Sequence, residues 1–178
     1  PNKSVIDKRG RPPCRVACPA GVNAQGYIAL ISQGKFKEAL EVVRRTMPFA
    51  GVIGRVCNHP CELDCERAKV DESMSIRTLK RFIADYELKV GREKAAPAER
   101  TREDKVAIVG SGPSGLACAY DLVRTGYPVT VFEAAPKAGG LLRYGIPEYR
   151  LPKAILDNEI SYIQELGVEI RTNTTVKN

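Results

Sequence analysis

A glycine-rich loop at residues 110–115 has the composition and spacing to bind the phosphates of a nucleotide. Its residues, all expected to line the cofactor, are Gly110, Ser111, Gly112, Pro113, Ser114 and Gly115. The G-x-G-x-x-G pattern follows an apolar run and precedes a helical stretch that reaches Arg124, which is the strand–turn–helix context that such a site requires. Gly110 permits the tight turn, Gly112 lets backbone N–H groups approach a pyrophosphate, and Gly115 allows the helix to pack on the strand.

Glu133 indicates which nucleotide the loop accepts. It ends the second predicted strand, 23 residues after Gly110 (133 − 110), where a carboxylate can accept hydrogen bonds from both ribose hydroxyls. A 2′-phosphate at this position would meet a like charge, so NADP is disfavoured. NAD and the ADP half of FAD both remain on this pattern alone. The Gly- and Pro-rich stretch 139–147 that follows is unusual before a crossover helix, and it favours FAD.

Five of the six cysteines form a second constellation, with the spacings C-x3-C and C-x3-C-x3-C. They are Cys14, Cys18, Cys57, Cys61 and Cys65. The sequence has no apolar signal core that would favour disulfides, so a metal centre or reactive thiols is the better interpretation. Cys18 precedes a proline, as in ferredoxin-type cluster loops. Structural zinc sites favour C-x2-C and C-x4-C pairs. The pattern therefore favours an iron–sulfur cluster over zinc and over unligated thiols.

Two further residues, Cys118 and His59, are predicted to have no role as cluster ligands. Cys118 lies on the helix after the glycine loop and is predicted to be a buried, inert thiol. His59, the single histidine, lies between Cys57 and Cys61 and is expected to line the loop and not to ligate a cluster. No pair of carboxylates suggests hydrolysis, and no catalytic residue is assigned.

The elements that must position these residues divide into two groups. Apolar periodicity predicts helices at 23–32, 36–46 and 75–88, the first two as an αα-hairpin. Residues 1–22 are predicted to be loop-like, and 51–56 are predicted to form a loop that leads into the second cysteine group. The nucleotide fold is predicted to have strands at 106–109, 129–132 and 168–171, with a helix at 153–166 before the last strand.

Composition and charge argue against a membrane-spanning protein and against a nucleic-acid-binding protein. The 178 residues are 43% hydrophobic and 28% charged, as in ordinary soluble proteins, and no apolar run reaches membrane-spanning length. The net charge of +7 is concentrated before residue 105, but the basic residues alternate with acids and form no aromatic-rich stripe. Nucleic acid is therefore not expected as a partner. The expected compartment is the cytoplasm.

Five stretches, in this order, resemble the N-terminal part of the glutamate synthase small-subunit family of flavoproteins, a module that also occurs in dihydropyrimidine dehydrogenase. They are PPCRVACPAGVNAQGYIALISQGKFKEAL, GRVCNHPCELDC, SIRTLKRFIADY, VAIVGSGPSGLACA and GGLLRYGIPEYRLPK. The resemblance implies a helical iron–sulfur domain, an FAD domain and, downstream, an NAD(P)H domain. Electrons would pass from NAD(P)H to FAD and through 4Fe–4S clusters to a partner flavin or an electron-accepting catalytic subunit.

The resemblance also implies roles for individual residues. The glycine loop and Glu133 would bind the ADP part of FAD, Gly140 and Leu141 would run beside the cofactor, and Arg150 would lie near the flavin. The five cysteines of residues 14–65 match cluster ligands of the family.

Three positions depart from the family's pattern. Ile6 and Arg9 stand where the family has two further cysteines, and Lys80 stands where a carboxylate or amide ligand is sometimes found. In addition, Cys57 and Cys61 are closer together than in the commonest version of the pattern. Two clusters would therefore lack ligands, so one 4Fe–4S cluster is favoured over two, and the cysteine left over is not identified.

The predicted architecture is α + α/β. A helical iron–sulfur domain covers residues 1–88, a linker covers 89–104, and a Rossmann-like FAD-binding fold, incomplete at its C-terminus, covers 105–178. The chain is expected to be a fragment or a subunit that is not active alone. Its predicted function is electron transfer between FAD and a cluster in an NAD(P)H-dependent oxidoreductase. The alternative is a non-catalytic docking module with a structural metal.

Overall fold

A computed structural model describes residues 10–177, and its first part is helical. Its helices are α1 (Pro13–Val16), α2 (Ala24–Ser32), α3 (Phe36–Arg44), α4 (Ala50–Val56), α5 (Pro60–Leu63) and α6 (Ile76–Val90), with a 3-10 helix at Glu66–Lys69. Ile6 and Arg9, where two family cysteines are missing, lie outside the described residues. No helix in the described part is both long and apolar enough to cross a membrane.

The α2–α3 hairpin forms as the sequence predicts. The side chain of Asn23 caps α2 by accepting a hydrogen bond from the N–H of Gly26 at 3.1 Å. Gly34 has a φ of +73°, which favours glycine and lets the chain reverse into α3. Tyr27, on α2, is fully buried and donates its hydroxyl to the carbonyl of Ile76 at 2.6 Å, which fixes α6 against the hairpin.

Helix α4 occupies the segment 51–56, for which the sequence predicts a loop, so that prediction is wrong. The cause is tertiary packing. A Cβ atom at Gly54 would lie 2.8 Å from the Cα of Arg81, so the missing side chain lets α4 and α6 approach closely. Glycine here serves helix–helix contact and not a turn. The short helix α1 likewise replaces part of the predicted N-terminal loop.

The second part contains a three-stranded parallel sheet with the strand order β1-β2-β3. The strands are β1 (Val106–Val109), β2 (Val129–Phe132) and β3 (Glu169–Arg171), and the helices are α7 (Pro113–Arg124), α8 (Leu141–Tyr144) and α9 (Lys153–Glu165). Val106 pairs with Val129, and Val131 pairs with Ile170. The predicted class, a helical domain followed by a Rossmann-like α/β fold, is confirmed.

The prediction of a buried thiol at Cys118 is wrong, because this residue is exposed. The buried face of α7 consists of Leu116, Ala119, Tyr120 and Val123. Cys118 is two positions from both Leu116 and Tyr120, about 200° around the helix at 3.6 residues per turn, so it faces away from the core.

Residues 91–105 form no helix or strand, yet they are attached to the nucleotide fold. Arg92 forms a bidentate ion pair with Glu165 at 2.5 and 2.7 Å. The N–H of Ala98 donates to the carbonyl of Leu166 at 2.9 Å, and the N–H of Thr101 donates to that of Gly126 at 3.2 Å. This segment therefore follows the surface of the second part instead of bridging open solvent.

Candidate functional site

The glycine loop adopts the geometry that the sequence predicts. Gly110 follows the last residue of β1 and has a φ of +93°, and Gly112 is the N-cap of α7. A side chain at Gly115 would collide with the carbonyl oxygen of Gly110, so strand and helix can meet only without one. A Cβ at Gly112, in contrast, would meet open space. The loop therefore leaves the N-terminus of α7, with its partial positive charge, accessible to an anionic group.

Glu133 is held directly against this loop. One carboxylate oxygen accepts hydrogen bonds from the N–H and the hydroxyl of Ser111, at 2.8 and 2.5 Å, and the other accepts from the N–H of Ala135 at 2.8 Å. Burial alone would raise the pKa of Glu133, but these donors outweigh it and lower the pKa below its usual value. The side chain is thus a carboxylate at neutral pH, as repulsion of a 2′-phosphate requires.

The Gly/Pro-rich stretch 139–147 folds back onto the loop. Ser111 is fully buried, and its carbonyl and hydroxyl oxygens lie 3.0 and 3.2 Å from the N–H of Gly139. Gly140 has a φ of +50°, and a Cβ there would lie 2.7 Å from the Cα of Gly112. The two glycine segments therefore form one surface, and Ser111, which the sequence predicts only as part of the glycine loop, joins them through its carbonyl and its hydroxyl.

The remaining predicted nucleotide residues lie along the same stretch. Leu141 is exposed at the start of α8. Arg150 is exposed in the turn before α9, where its N–H donates to the carbonyl of Pro147 at 3.1 Å. Pro113 and Ser114 are exposed in the first turn of α7.

The five predicted cluster ligands converge in the helical part. Cys14 lies in α1, Cys57 follows α4 and Cys61 lies in α5. Burial raises the pKa of Cys14, and the charges of Cys65 and Cys18 raise it further. Burial likewise raises the pKa of Cys61 to about 11, and Cys18 and Cys57 add to the rise. Cys14 and Cys65 line one cavity, and Cys14 and Cys18 pack against the apolar core that contains Cys61. All five thiols are free of disulfides.

Backbone N–H groups point at two of these sulfurs. The N–H of His59 donates to Sγ of Cys57 at 3.2 Å, and the N–H of Met74 lies 3.5 Å from Sγ of Cys65. His59 achieves this with a left-handed backbone, at φ 47°. Its Nδ1 lies 3.2 Å from a carboxylate oxygen of Glu62 without hydrogen-bond geometry, so the ring is not held by that contact.

Glu62 and Arg77 are functional neighbours that sequence reasoning missed. The N–H of Arg77 donates to Oε1 of Glu62 at 2.7 Å, and its guanidinium donates to the carbonyl of Cys57 at 3.0 Å. These bonds attach the cysteine loop to the first turn of α6. Their only signal in the sequence is an acidic residue directly after Cys61.

Lys80 also faces this region. It is 6% exposed, and its positive charge opposes the rise in the pKa of Cys61. A lysine ammonium group has no lone pair to offer to iron, in contrast to the carboxylate or amide that the family sometimes has here. It can instead offset the negative charge of thiolates.

The donor set fits an iron–sulfur cluster. A cavity of about 380 Å³, lined in part by Cys14, Cys65 and the apolar side chains of Ile28 and Ile76, opens beside the thiols. In the described part of the chain, no three His, Cys, Asp or Glu side chains are placed to share a single metal ion. In a cubane each thiolate binds its own iron, and N–H donors to sulfur tune the cluster.

Comparison with known families assigns both parts of the chain. Residues 8–92 match the family described as dihydropyrimidine dehydrogenase domain II, 4Fe-4S cluster. Residues 108–168 match the NAD(P)-binding Rossmann-like domain. The chain therefore contains a 4Fe–4S domain and a dinucleotide-binding domain.

Three curated relatives share this arrangement. The beta subunit of the NADP(+)-dependent formate dehydrogenase of Moorella thermoacetica is 48% identical over 92% of this chain and 26% of its own length. The NAD-dependent dihydropyrimidine dehydrogenase subunit PreT of Escherichia coli is 41% identical over 93% of this chain and 40% of its own length. The glutamate synthase [NADPH] small chain of Bacillus subtilis is 45% identical over 83% of this chain and 30% of its own length.

The chain thus spans between about a quarter and two fifths of the length of these relatives. The resemblance to the glutamate synthase small-subunit family is confirmed, since the 4Fe–4S and Rossmann-like matches lie in the predicted order. Over these two matched segments the chain is similar to the glutamate synthase small chain and to the PreT subunit of dihydropyrimidine dehydrogenase.

Proposed function

We propose that this chain binds FAD and one 4Fe–4S cluster and passes electrons between them within a larger NAD(P)H-dependent oxidoreductase. The observation that carries the proposal is that one folded chain joins a convergent set of cysteines to a phosphate-binding glycine loop. FAD accepts a hydride and releases single electrons, and a cubane carries one electron at a time, so the two centres together convert pair transfer into single-electron transfer.

The chain's own residues would bind and orient the flavin nucleotide. The N–H groups of Gly112, Ser114 and Gly115 would face the pyrophosphate, since those of Gly110 and Ser111 donate to Phe132 and Glu133. The ionised Glu133 would accept hydrogen bonds from the ribose. Gly140 and Leu141 would run beside the cofactor, and Arg150 would lie near the isoalloxazine ring. Support for FAD over NAD comes from the 139–147 stretch, which packs on the loop and extends its surface.

Four of the five cysteines Cys14, Cys18, Cys57, Cys61 and Cys65 would hold the cluster. The N–H donors to Cys57 and Cys65 would stabilise charge on its sulfurs, and the buried Lys80 would offset its net negative charge. The domains proposed are 1–88 for the cluster, 89–104 as the connection and 105–178 for the nucleotide. The cytoplasmic location expected from the sequence stays a prediction.

NAD(P)H as the electron source and a catalytic or electron-accepting subunit as the destination are likewise proposals. The relatives are named as subunits of a formate dehydrogenase and a dihydropyrimidine dehydrogenase, which supports a partner for this chain as well. The second candidate is a docking module with a structural metal. The free thiols keep it open, but it is disfavoured because no three His, Cys, Asp or Glu side chains of the described residues are placed to share one metal ion. Analysis of metal and sulfide separates the two.

Anaerobic purification followed by iron, acid-labile sulfide, zinc and flavin analysis tests the proposal. About four irons and four sulfides per chain are expected, together with FAD released by acid and identified by mass. Zinc without sulfide would support the docking module, and bound NAD would contradict the flavin assignment. Cys57→Ser should lose the cluster, whereas the matched Cys118→Ser, an exposed thiol on α7, should keep it.

Glu133→Gln should weaken FAD retention by roughly 1–3 kcal/mol, because ribose hydroxyls and Ser111 lose a charged acceptor. Glu169→Gln, an exposed carboxylate on β3, is the control and should retain FAD as the unmodified chain does. Equal retention in both variants would remove Glu133 from the binding site.

A further inference from the structure

Helix α4 belongs to both halves of the molecule. Ala50 packs in the core of the helical part, whereas Phe49 and Val52 pack in the core of the nucleotide fold. The helix is only seven residues long and ends at Val56, directly before Cys57. Any movement of α4 relative to the nucleotide fold therefore moves a cysteine of the cluster site.

The start of α4 is held by Glu159 of α9. One carboxylate oxygen accepts a hydrogen bond from the N–H of Gly51 at 2.5 Å, and the other accepts from the N–H of Val52 at 3.0 Å. Glu159 is 4% exposed. A Cβ atom at Gly51 would lie 3.0 Å from Cγ2 of Ile155 and 3.3 Å from the Glu159 carboxylate, so the contact depends on glycine at this position.

The N-terminal end of α9 contacts the stretch 139–147 beside the glycine loop. Nζ of Lys153 donates to the carbonyls of Leu142 and Ile146, at 3.2 and 2.5 Å, and Asp157 forms an ion pair with Arg143. Lys153 and Glu159 are six residues apart, which is about 9 Å along a helix. Helix α9 therefore contacts the proposed flavin side and the proposed cluster side at once.

A buried carboxylate is costly in free energy unless donors and charges compensate it. Here the two N–H groups at the start of α4 and the positive charge of the nearby Arg44 stabilise the Glu159 carboxylate. The negative charge of Glu87, which is paired with Arg44, destabilises it. An apolar residue would avoid this cost but would leave the first-turn N–H groups of Gly51 and Val52 without an acceptor. Two hydrogen bonds from successive residues to two oxygens, however, fix both the position and the rotation of α4, which apolar contact does not.

We propose that Glu159 is a positioning residue, which holds α4 and hence Cys57 at a fixed distance and orientation from the flavin site and thereby sets the rate of electron transfer from flavin to cluster. The inference rests on the proposed function, since it requires both centres. In this step one electron leaves the reduced flavin and reduces the cluster, with no bond made or broken between them.

The test uses the full chain loaded with both centres. An external photoreductant reduces the flavin in a flash, and absorbance follows electron transfer to the cluster. Glu159→Gln keeps the volume but offers one acceptor oxygen, and it places an N–H₂ group against the second donor. We expect normal iron, sulfide and FAD content, unchanged reduction potentials, faster amide exchange at Gly51 and Val52, and transfer at least several-fold slower.

Two further variants make the outcome decisive. Glu165→Gln removes a carboxylate of α9 that bonds Arg92 and Ala95 and not α4, and it should transfer electrons at the original rate. Gly51→Ala crowds Ile155 and Glu159 without changing charge, which displaces the contact between α4 and α9 by a few tenths of an ångström, and it should slow transfer in the same direction as Glu159→Gln.

An original rate in a fully loaded Glu159→Gln chain would overturn the inference. Loss of the cluster in both Glu159→Gln and Gly51→Ala would also overturn it, since the role would then be folding alone. If the unmodified chain bound no FAD or cluster, the proposed function would fail, and so would this inference. The amide exchange of Gly51 and Val52 would still show whether Glu159 holds α4.

Discussion

Glu159 should make this chain less stable as the pH rises, which is unusual for a carboxylate. Burial raises the pKa of Glu159 from 4.5 to about 7, although the N–H groups of Gly51 and Val52 and the charge of Arg44 lower it in part. Between these two values the folded chain binds a proton that the unfolded chain does not. The free energy of unfolding therefore falls across this range, by about 3 kcal/mol in total.

Glu159→Gln removes this titration. The glutamine loses one backbone hydrogen bond, which costs about 1 kcal/mol at every pH. Below pH 4.5 the variant should thus be less stable than the unmodified chain by about 1 kcal/mol, and above pH 7 it should be more stable by roughly 2 kcal/mol. For a chain of this size, each kcal/mol shifts the thermal midpoint by about 2–4 °C.

Urea unfolding followed by circular dichroism, with both chains at each pH from 4.5 to 8, measures the difference. Glu165→Gln is the matched control, and its difference in stability from the unmodified chain should stay constant over this pH range. The ion pair with Arg92 lowers the pKa of Glu165 from 4.5 to about 2, so its stabilisation is complete above pH 4.5 and is lost as the pH falls towards 2. Parallel profiles for the unmodified chain and Glu159→Gln would refute the reasoning, since they would mean that Glu159 ionises alike in the folded and unfolded chains.

Two further substitutions probe the proposed cofactor sites. Gly140→Ala should weaken FAD binding at least tenfold, as measured by equilibrium dialysis. The reason is that the φ of Gly140 is +50° and the new Cβ would lie 2.7 Å from the Cα of Gly112. Ala138→Gly, which lies outside that contact, is the control. Lys80→Met should make the cluster's reduction potential more negative, on the order of tens of millivolts by EPR-monitored titration, since a buried positive charge is lost. An unchanged potential would place Lys80 too far from the cluster to affect it.

The features that local chemistry dictates were predictable from the sequence. The Asn23 side chain caps α2, and Gly34, which has no side chain, allows the turn that ends α2. Both effects act within a few residues of the chain. The glycine loop and the order of strand, helix and strand follow in the same way. The residues that could ligate a cluster were also visible, because five thiols at short spacings are rare in any other context.

Features that depend on distant parts of the chain were not predictable. Gly51 and Gly54 suggest a loop to any local rule, but Ile155, Glu159 and Arg81 occupy the space that their side chains would need, and the segment is a helix. Cys118 was predicted to be buried, but the face of α7 that packs on the core carries Leu116, Ala119, Tyr120 and Val123 instead. The contact of Glu159 with Val52 joins residues 107 positions apart, and no pattern in the sequence indicates it.

The two properties assigned to Glu159 oppose one another, and the opposition bears on why the residue is a glutamate. The anion accepts both N–H bonds and so orients α4 best, yet the anion is the form that burial disfavours. Above pH 7 glutamine, which keeps one of the two N–H bonds and carries no buried charge, should be more stable. If electron transfer slows in Glu159→Gln while its stability at pH 8 rises, the carboxylate costs stability and contributes orientation. If stability and transfer rate fall together, Glu159 stabilises the fold and its effect on electron transfer is secondary.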